Sequence, residues 1–239
     1  MASRFDGKLA LVAGGTGGLG RAVSLSFLTE AAKVVVTYRN EEEFTALKKL
    51  AGSRASFLHG HQVDVTDDVA VGQMVKAITT KGGRLDVMVN AVGGYAGGTP
   101  LWQTDSKVFD QMLALNLRSG YVLSRAVVPQ MLKQGSGVIV SVSSRAAVDH
   151  EAGAAAYAAS KAASVAMFDS LAADLKGTGV RVNSVLPSII DTEANRKAMP
   201  KADFTKWPRP KDIAGVILFL CSDEAKLIHG ASVPVYGEF

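Results

Sequence analysis

Ala13-Gly14-Gly15-Thr16-Gly17-Gly18-Leu19-Gly20 follows directly on the apolar run Lys8–Ala13 and opens an amphipathic stretch, Gly18–Thr29. A strand that breaks into glycines and then into a helix turns backbone N–H groups and a helix N-terminus toward one point. Only residues without a Cβ let a pyrophosphate approach that point closely. The stretch therefore predicts a nucleotide-binding loop at the first turn of an α/β fold, with Gly20 letting the helix pack tightly on the sheet.

The rest of the chain repeats the strand-then-helix order. Strand-like runs are Lys8–Ala13, Lys33–Thr37, Ser56–Gln62, Leu85–Asn90, Gly137–Ser143, Val180–Leu186 and Ser232–Val235. Helix-like segments lie at Gly18–Thr29, Glu42–Ala51, Asp67–Thr80, Asp105–Lys133, Ala154–Lys176 and Lys211–Ser222, with Asp105 as an N-cap and Gly177 as a stop. The runs Leu9–Ala13 and Val138–Val142 are apolar without period-two alternation, as strands covered on both sides should be. Strict alternation of this kind predicts a doubly wound parallel seven-stranded sheet with helices on both faces. No repeat or linker divides the chain, so residues 1–239 read as one domain, with a short lid near 193–210.

Around that loop, two further positions bear on the nucleotide. The second strand ends in Thr37-Tyr38-Arg39-Asn40, about twenty residues beyond the glycines, where an acid would accept the ribose hydroxyls of NAD. Arg39 stands there instead, and a planar guanidinium suits a 2′-phosphate; read from the residues alone it is either that partner or a solvated turn arginine. NADP(H) is the expectation, with NAD(H) left open. Asp64, ending the third strand before Val65, either accepts from an adenine amino group or, with Asp67, caps the next helix.

A second chemistry lies toward the other end. Tyr157 and Lys161 are four residues apart in an alanine-rich helical segment, so phenol and ammonium share a helix face. A lysine beside a tyrosine favours the phenolate and draws its pKa down toward working pH. Ser144 closes a strand thirteen residues before Tyr157, with Ser143 as its rival. Asn116, inside the apolar run Leu115-Asn116-Leu117, is a poor helix residue unless its amide is used.

With these residues together, the chain resembles the short-chain dehydrogenase/reductase family nearly end to end, in its single-domain Rossmann branch. The family's T-G-x-x-x-G-x-G is matched at Gly14, Gly18 and Gly20, with Ala13 in place of threonine. Its N-N-A-G reads Asn90-Ala91-Val92-Gly93, and its R-V-N-x-x-x-P-G-x-x-x-T runs from Arg181-Val182-Asn183 to Pro187, with Ser188 for glycine and Thr192 in place. The resemblance implies a catalytic set of Asn116, Ser144, Tyr157 and Lys161. Tyr157 would be the acid/base, Ser144 would hydrogen-bond the same substrate oxygen, and Lys161 would bind the nicotinamide ribose. Asn116 would hold a water linking Lys161 to solvent. It also implies cofactor contacts at Gly14, Thr16, Gly17, Gly18, Leu19, Gly20, Arg39, Asp64, Val65, Asn90, Ala91, Pro187, Ile189 and Thr192. Ser188 adds bulk where the nicotinamide would lie. The implied activity is hydride transfer between a nicotinamide and a carbonyl or secondary alcohol, similar to 3-oxoacyl-carrier-protein reductases. The run Gly93–Gly98 also resembles dihydropteridine reductases, which typically lack the serine. A nucleotide sensor without turnover is disfavoured by retention of all four polar residues.

Composition narrows the partners. A net charge of +4 is too small to suggest nucleic acid, and no apolar run is long enough to suggest a membrane span. Met1–Phe5 does not read as a signal peptide, and the single Cys221 leaves no intramolecular disulfide or structural zinc site, so a cytosolic, metal-free protein is expected. Substrate contacts are expected from Gly94–Gln103, Arg145–Gly153 and the lid Glu193–Pro210, His150 being a loop histidine with no ligand partner. Between Asn195 and Lys211 stand Arg196, Lys197, Lys201, Lys206, Arg209 and Lys211 against Asp203 alone. They suit an acidic or carrier-bound substrate, or are ordinary solvated charges. Ala158, Ala162, Val165 and Ala166 spread small apolar residues over more than one helix face, which, with the family's habit, predicts a homo-oligomer, a tetramer or dimer.

Overall fold

Seven strands pair edge to edge in a single parallel sheet. In the computed structural model, which describes residues 3–238, these are β1 (Leu9–Ala13), β2 (Lys33–Tyr38), β3 (Leu58–Gln62), β4 (Val87–Asn90), β5 (Gly137–Val142), β6 (Val180–Pro187) and β7 (Ser232–Val235). Their spatial order is β3-β2-β1-β4-β5-β6-β7, every neighbouring pair parallel. Strand order reverses between β1 and β4, so the connections after them diverge and leave a crevice at their carboxyl ends. This is the doubly wound arrangement that the alternation predicts.

Helices cover both faces: α1 (Gly18–Thr29), α2 (Glu41–Ala51), α3 (Asp68–Gly82), α4 (Ser106–Leu113), α5 (Ser119–Gln134), α6 (Ala155–Asp174), α7 (Glu193–Ala198) and α8 (Pro210–Cys221). Successive strand residues point to opposite sides. Ala10, Val12, Val34, Val36, Val87, Val89 and Val140 meet Phe27 of α1 and Ile213 and Ile217 of α8. Leu9, Leu11, Val35, Met88 and Ile139 meet Val71 and Val75 of α3, Leu123 and Val127 of α5 and Phe168 of α6. Burying a side chain of this size contributes roughly 1.5–3 kcal/mol, so both faces stabilise the sheet. The helix starts follow local chemistry. The side chains of Asn40, Asp67 and Asp105 accept backbone N–H groups at the starts of α2, α3 and α4, and Pro210 opens α8.

The expected helix over 105–133 is interrupted at Ala114–Arg118 by one π turn, which joins α4 to α5 and contains Asn116. The lid carries a short helix, α7, that its charge pattern hides. Ser56 and Phe57 belong to a 3₁₀ turn, Gly52–Phe57, instead of starting β3. Among the described residues no helix is long and apolar enough to cross a membrane, and no group of three or more His, Cys, Asp or Glu side chains could hold a metal ion.

One register row has unusual chemistry. Asn90 lies beside Ser141, Ser141 beside Ser184, and Ser184 beside Ser232, crossing four adjacent strands. The hydroxyls of Ser141, Ser184 and Ser232 are buried and make no hydrogen bond.

Candidate active site

The glycine loop is built to leave room at the head of α1. Gly14 has φ 71°, where a side chain is strained, and its N–H donates to Thr37 Oγ1 at 2.9 Å. A Cβ on Gly20 would run into the Gly14 carbonyl oxygen. No side chain caps α1, so its first amides, including those of Gly18 and Leu19, have no intrahelical carbonyl and face outward. That is a seat for a pyrophosphate. Thr16 donates its hydroxyl to Glu43 Oε2 at 2.8 Å. Thr192, at the start of the lid, packs on Gly18, where a Cβ would come within 2.8 Å of Thr192 Cγ2.

The adenosine end is framed by β2 and β3. Arg39 is exposed and, among the described residues, has no ion-pair partner. Hydrogen bonds from the Thr66 amide and hydroxyl hold the Asp64 carboxyl below its ordinary value, and Arg39 acts in the same direction. Of the alternatives for the two acids, capping of α3 falls to Asp67, while Asp64 forms its turn with Thr66. Val65 is buried in the core. Asn90 accepts from Val92 N at 3.2 Å and Ala91 N donates to the Ala13 carbonyl, so the turn after β4 is closed despite the missing second asparagine.

The proton end forms where β5, α6 and the π turn converge. The Ser144 hydroxyl lies beside the Tyr157 phenol and lowers its pKa, and it accepts from Ala146 N at 3.2 Å. Ser143 is 5 % exposed and donates to the Lys161 carbonyl at 3.2 Å, so it ties β5 to α6. Of the two serines only Ser144 bears on the phenol. Lys161 shares the helix face with Tyr157 but runs back to β5, where Nζ donates to the Val142 carbonyl at 3.1 Å. Burial draws its ammonium down to about 8.

Here the structure corrects one expectation. Burial, the largest influence, holds the Tyr157 phenol above its ordinary value; the neighbouring Ser144 hydroxyl lowers it and Tyr95 raises it. The lysine does not pull the phenol down, because its hydrogen bond goes to β5 and its own charge is costly where it lies.

Asn116 is 2 % exposed and its amide is fully used, as an asparagine in an apolar helix requires. It accepts from Gly94 N at 2.9 Å and donates to the Gly94 carbonyl and to Ser160 Oγ, both at 3.0 Å. Ser160 in turn donates to the Tyr157 carbonyl at 2.7 Å. The side chain thus braces the loop after β4 against α6. A Cβ on Gly93 would lie 2.9 Å from Asn116 Oδ1 and 3.1 Å from Lys161 Nζ, so only glycine brings this backbone so near both groups.

The departures after β6 are mild. Pro187 is buried, Ile189 is 37 % exposed, and Ser188 turns its hydroxyl to the Tyr236 carbonyl at 2.7 Å, so its bulk is tied to the residue that follows β7. The basic lid is less positive than its sequence suggests. Arg196 pairs with Asp191, Lys197 with Glu193 and Arg209 with Asp212, acids standing just outside the basic window. Of the six cations, Lys201, Lys206 and Lys211 have no such partner among the described residues. His150 only contacts the Ala146 carbonyl through Nδ1 at 3.1 Å. Of the α6 residues expected to face a partner, Ala158 is instead buried, Ala162 and Val165 are half-buried, and Ala166 is exposed.

Several residues emerge only in three dimensions. Tyr95 meets the Tyr157 ring edge to face, centroids 5.0 Å apart. Ser160 connects Asn116 to the tyrosine's backbone, and Thr37 holds Gly14. A polar residue closing an apolar strand was a usable signal for Thr37. No pattern in the sequence marks Ser160.

Known proteins agree with this geometry. The short chain dehydrogenase pattern matches residues 8–203. D-threitol dehydrogenase of Mycolicibacterium smegmatis is 34% identical over 245 residues, covering 99% of this chain and 94% of that protein. The 3-oxoacyl-[acyl-carrier-protein] reductase of Thermotoga maritima is 33% identical over 242 residues, covering 98% of each. The solved structure of ElxO with NADP bound superposes with a TM-score of 0.91 at 28% identity, over 96% of this chain and 97% of that one. With the glycine loop, the parallel sheet and the Ser144–Tyr157 pair in place, the chain belongs to the short-chain dehydrogenase/reductase family, oxidoreductases of CH–OH and C=O groups.

Proposed function

We propose that the protein is an NADP(H)-dependent reductase of a carbonyl substrate, with Tyr157 as the proton donor. The observation that carries this reading is the placement of the Ser144 hydroxyl beside the Tyr157 phenol, whose pKa it lowers, at the carboxyl end of β5 and beside the crevice opened by the glycine loop. The donor set fits a dinucleotide. The uncapped head of α1 and the loop Gly14–Gly20 suit a pyrophosphate, Asp64 an adenine amino group, and Arg39 a 2′-phosphate. Asn90, Ala91, Pro187, Ile189 and Thr192 line the remainder of the crevice in this reading.

When bound, the reduced nicotinamide supplies the hydride. The chain's own part is placement and proton chemistry. Ser144 hydrogen-bonds the carbonyl oxygen and steadies the charge that develops there. Tyr157 gives its proton to that oxygen, and its raised pKa suits an acid that must be protonated before it acts. Lys161 holds ribose hydroxyls, and with a value near 8 it is able to exchange protons close to neutrality. Asn116 holds α6 and the loop after β4 in register through Ser160 and Gly94, which is a positioning role.

NAD(H) is the second reading. Three glutamates, Glu41–Glu43, follow Arg39 in the first turn of α2, and Glu43 already reaches the glycine loop at Thr16. Such a carboxylate accepts ribose hydroxyls and repels a phosphate. Parallel fluorescence titrations with NADPH and NADH separate the two. Tighter NADPH binding that is lost in Arg39→Ala supports the phosphate reading, and equal or tighter NADH binding contradicts it.

In this reading the enzyme works as a homo-oligomer, through the faces that leave Phe109 and Tyr121 exposed at 38% and 46%. A monomer in sedimentation at micromolar concentration contradicts that.

A further inference from the structure

The segment that packs beside Tyr157 carries no charge of its own. Residues 91–104, the segment that follows β4, contain no Asp, Glu, Lys, Arg or His. This segment brings Tyr95 edge to face against Tyr157, with the centroids 5.0 Å apart, yet leaves Tyr95 67% exposed. An edge-to-face pair occupies one side of the ring and leaves an aromatic surface free for a second partner.

The loop holds that ring in place. A Cβ on Gly97 would collide with the Tyr95 hydroxyl, so the side chain lies back across its own backbone. Thr99 N donates to the Gly153 carbonyl at 3.3 Å, which ties the segment to the one that follows β5. In the neighbouring segments Arg145 is engaged with Asp149, Arg196 with Asp191, Lys197 with Glu193 and Arg209 with Asp212, while Lys201, Lys206 and Lys211 of the lid have no such partner among the described residues. Val148 and Ile189, which follow β5 and β6, are exposed at 60% and 37%, and residues 91–104 themselves expose Leu101 and Trp102 at 61% and 83%.

A carboxylate or phosphate brought against Tyr95 would lose water and meet no cation from residues 91–104 to replace it. A flat apolar ring would cover the Tyr95 surface at no such cost. We propose that the substrate is an uncharged carbonyl compound whose carbonyl adjoins an aromatic or conjugated ring, and that this ring packs on Tyr95. The proposal rests on Tyr157 being the proton donor, since that residue fixes where the carbonyl must lie.

Three ketones test it with NADPH as reductant: acetophenone, cyclohexyl methyl ketone and 4-acetylbenzoate. The wild-type enzyme is expected to favour acetophenone over each of the others by about tenfold in kcat/KM, the scale of one aromatic pair. Tyr95→Ala should erase the preference over cyclohexyl methyl ketone by raising KM for acetophenone, and Tyr95→Phe should keep it. A preference for 4-acetylbenzoate, with Lys201, Lys206 or Lys211 capturing the carboxylate, overturns the proposal. So does an equal loss on all three ketones in Tyr95→Ala, which marks a purely structural residue. An enzyme that binds NADPH and reduces none of the three overturns it as well. Undiminished turnover in Tyr157→Phe would instead strike the proton-donor reading on which it rests.

Discussion

Lys161 Nζ donates to the Val142 carbonyl oxygen at 3.1 Å, and at 5% exposure this ammonium is one of the most deeply buried charges in the chain. Its value falls from 10.5 to about 8 because burial disfavours the charged form. A folded value below the unfolded one means that the unfolded chain binds more protons between about 8 and 10.5. Stability therefore rises with pH across that window, by about 3 kcal/mol in all, and the penalty is fully present below it. Burial pushes the Cys221 thiol up from 9.0 to about 12, which works in the opposite direction above 9. Urea unfolding from about pH 7 to about pH 9 should show the rise in the wild type and none in Lys161→Met, which should also be more stable at neutral pH and inactive.

The two serines ending β5 should separate cleanly. Ser144 lies beside the Tyr157 phenol and lowers its pKa, whereas Ser143 spans to the Lys161 backbone. Ser144→Ala should lower kcat by about a hundredfold with little change in stability. Ser143→Ala should cost about 1 kcal/mol of stability and leave kcat within a few fold. Steady-state kinetics beside chemical denaturation of both variants checks this; the reverse pattern would exchange their roles.

Ser184 lies mid-row between Ser141 and Ser232, and its buried hydroxyl makes no hydrogen bond. A buried polar group without a partner is costly, so Ser184→Ala should be neutral or stabilise by about 1 kcal/mol. A loss of more than that in denaturant unfolding would show that the hydroxyl is hydrogen-bonded in solution.

Much of this was legible from residue order. Glycines between an apolar run and a helix gave the nucleotide loop, and alternation gave the sheet, because both rest on local chemistry. What stayed hidden depends on partners distant in sequence. Tyr157 and Lys161 share a helix face, but nothing in their spacing says that Lys161 will donate to β5 and leave the phenol above its ordinary value. The basic lid looked positive because Asp191, Glu193 and Asp212 flank the window instead of falling inside it. One π turn at 114–118 shifts helical phase too little to show in hydrophobic period. The contact of Tyr95 with Tyr157 requires the loop after β4 to fold over α6, which only the tertiary structure shows.

The central claim is that Tyr157 donates the proton and does not hold the cofactor's affinity. The most direct measurement is single-turnover oxidation of bound NADPH by a carbonyl substrate, wild type against Tyr157→Phe, with NADPH affinity measured in the same samples. The account predicts a loss of roughly a thousandfold in rate with affinity unchanged within a few fold. A Tyr157→Phe enzyme that turns over at the wild-type rate, or one whose only defect is weaker NADPH binding, would contradict it.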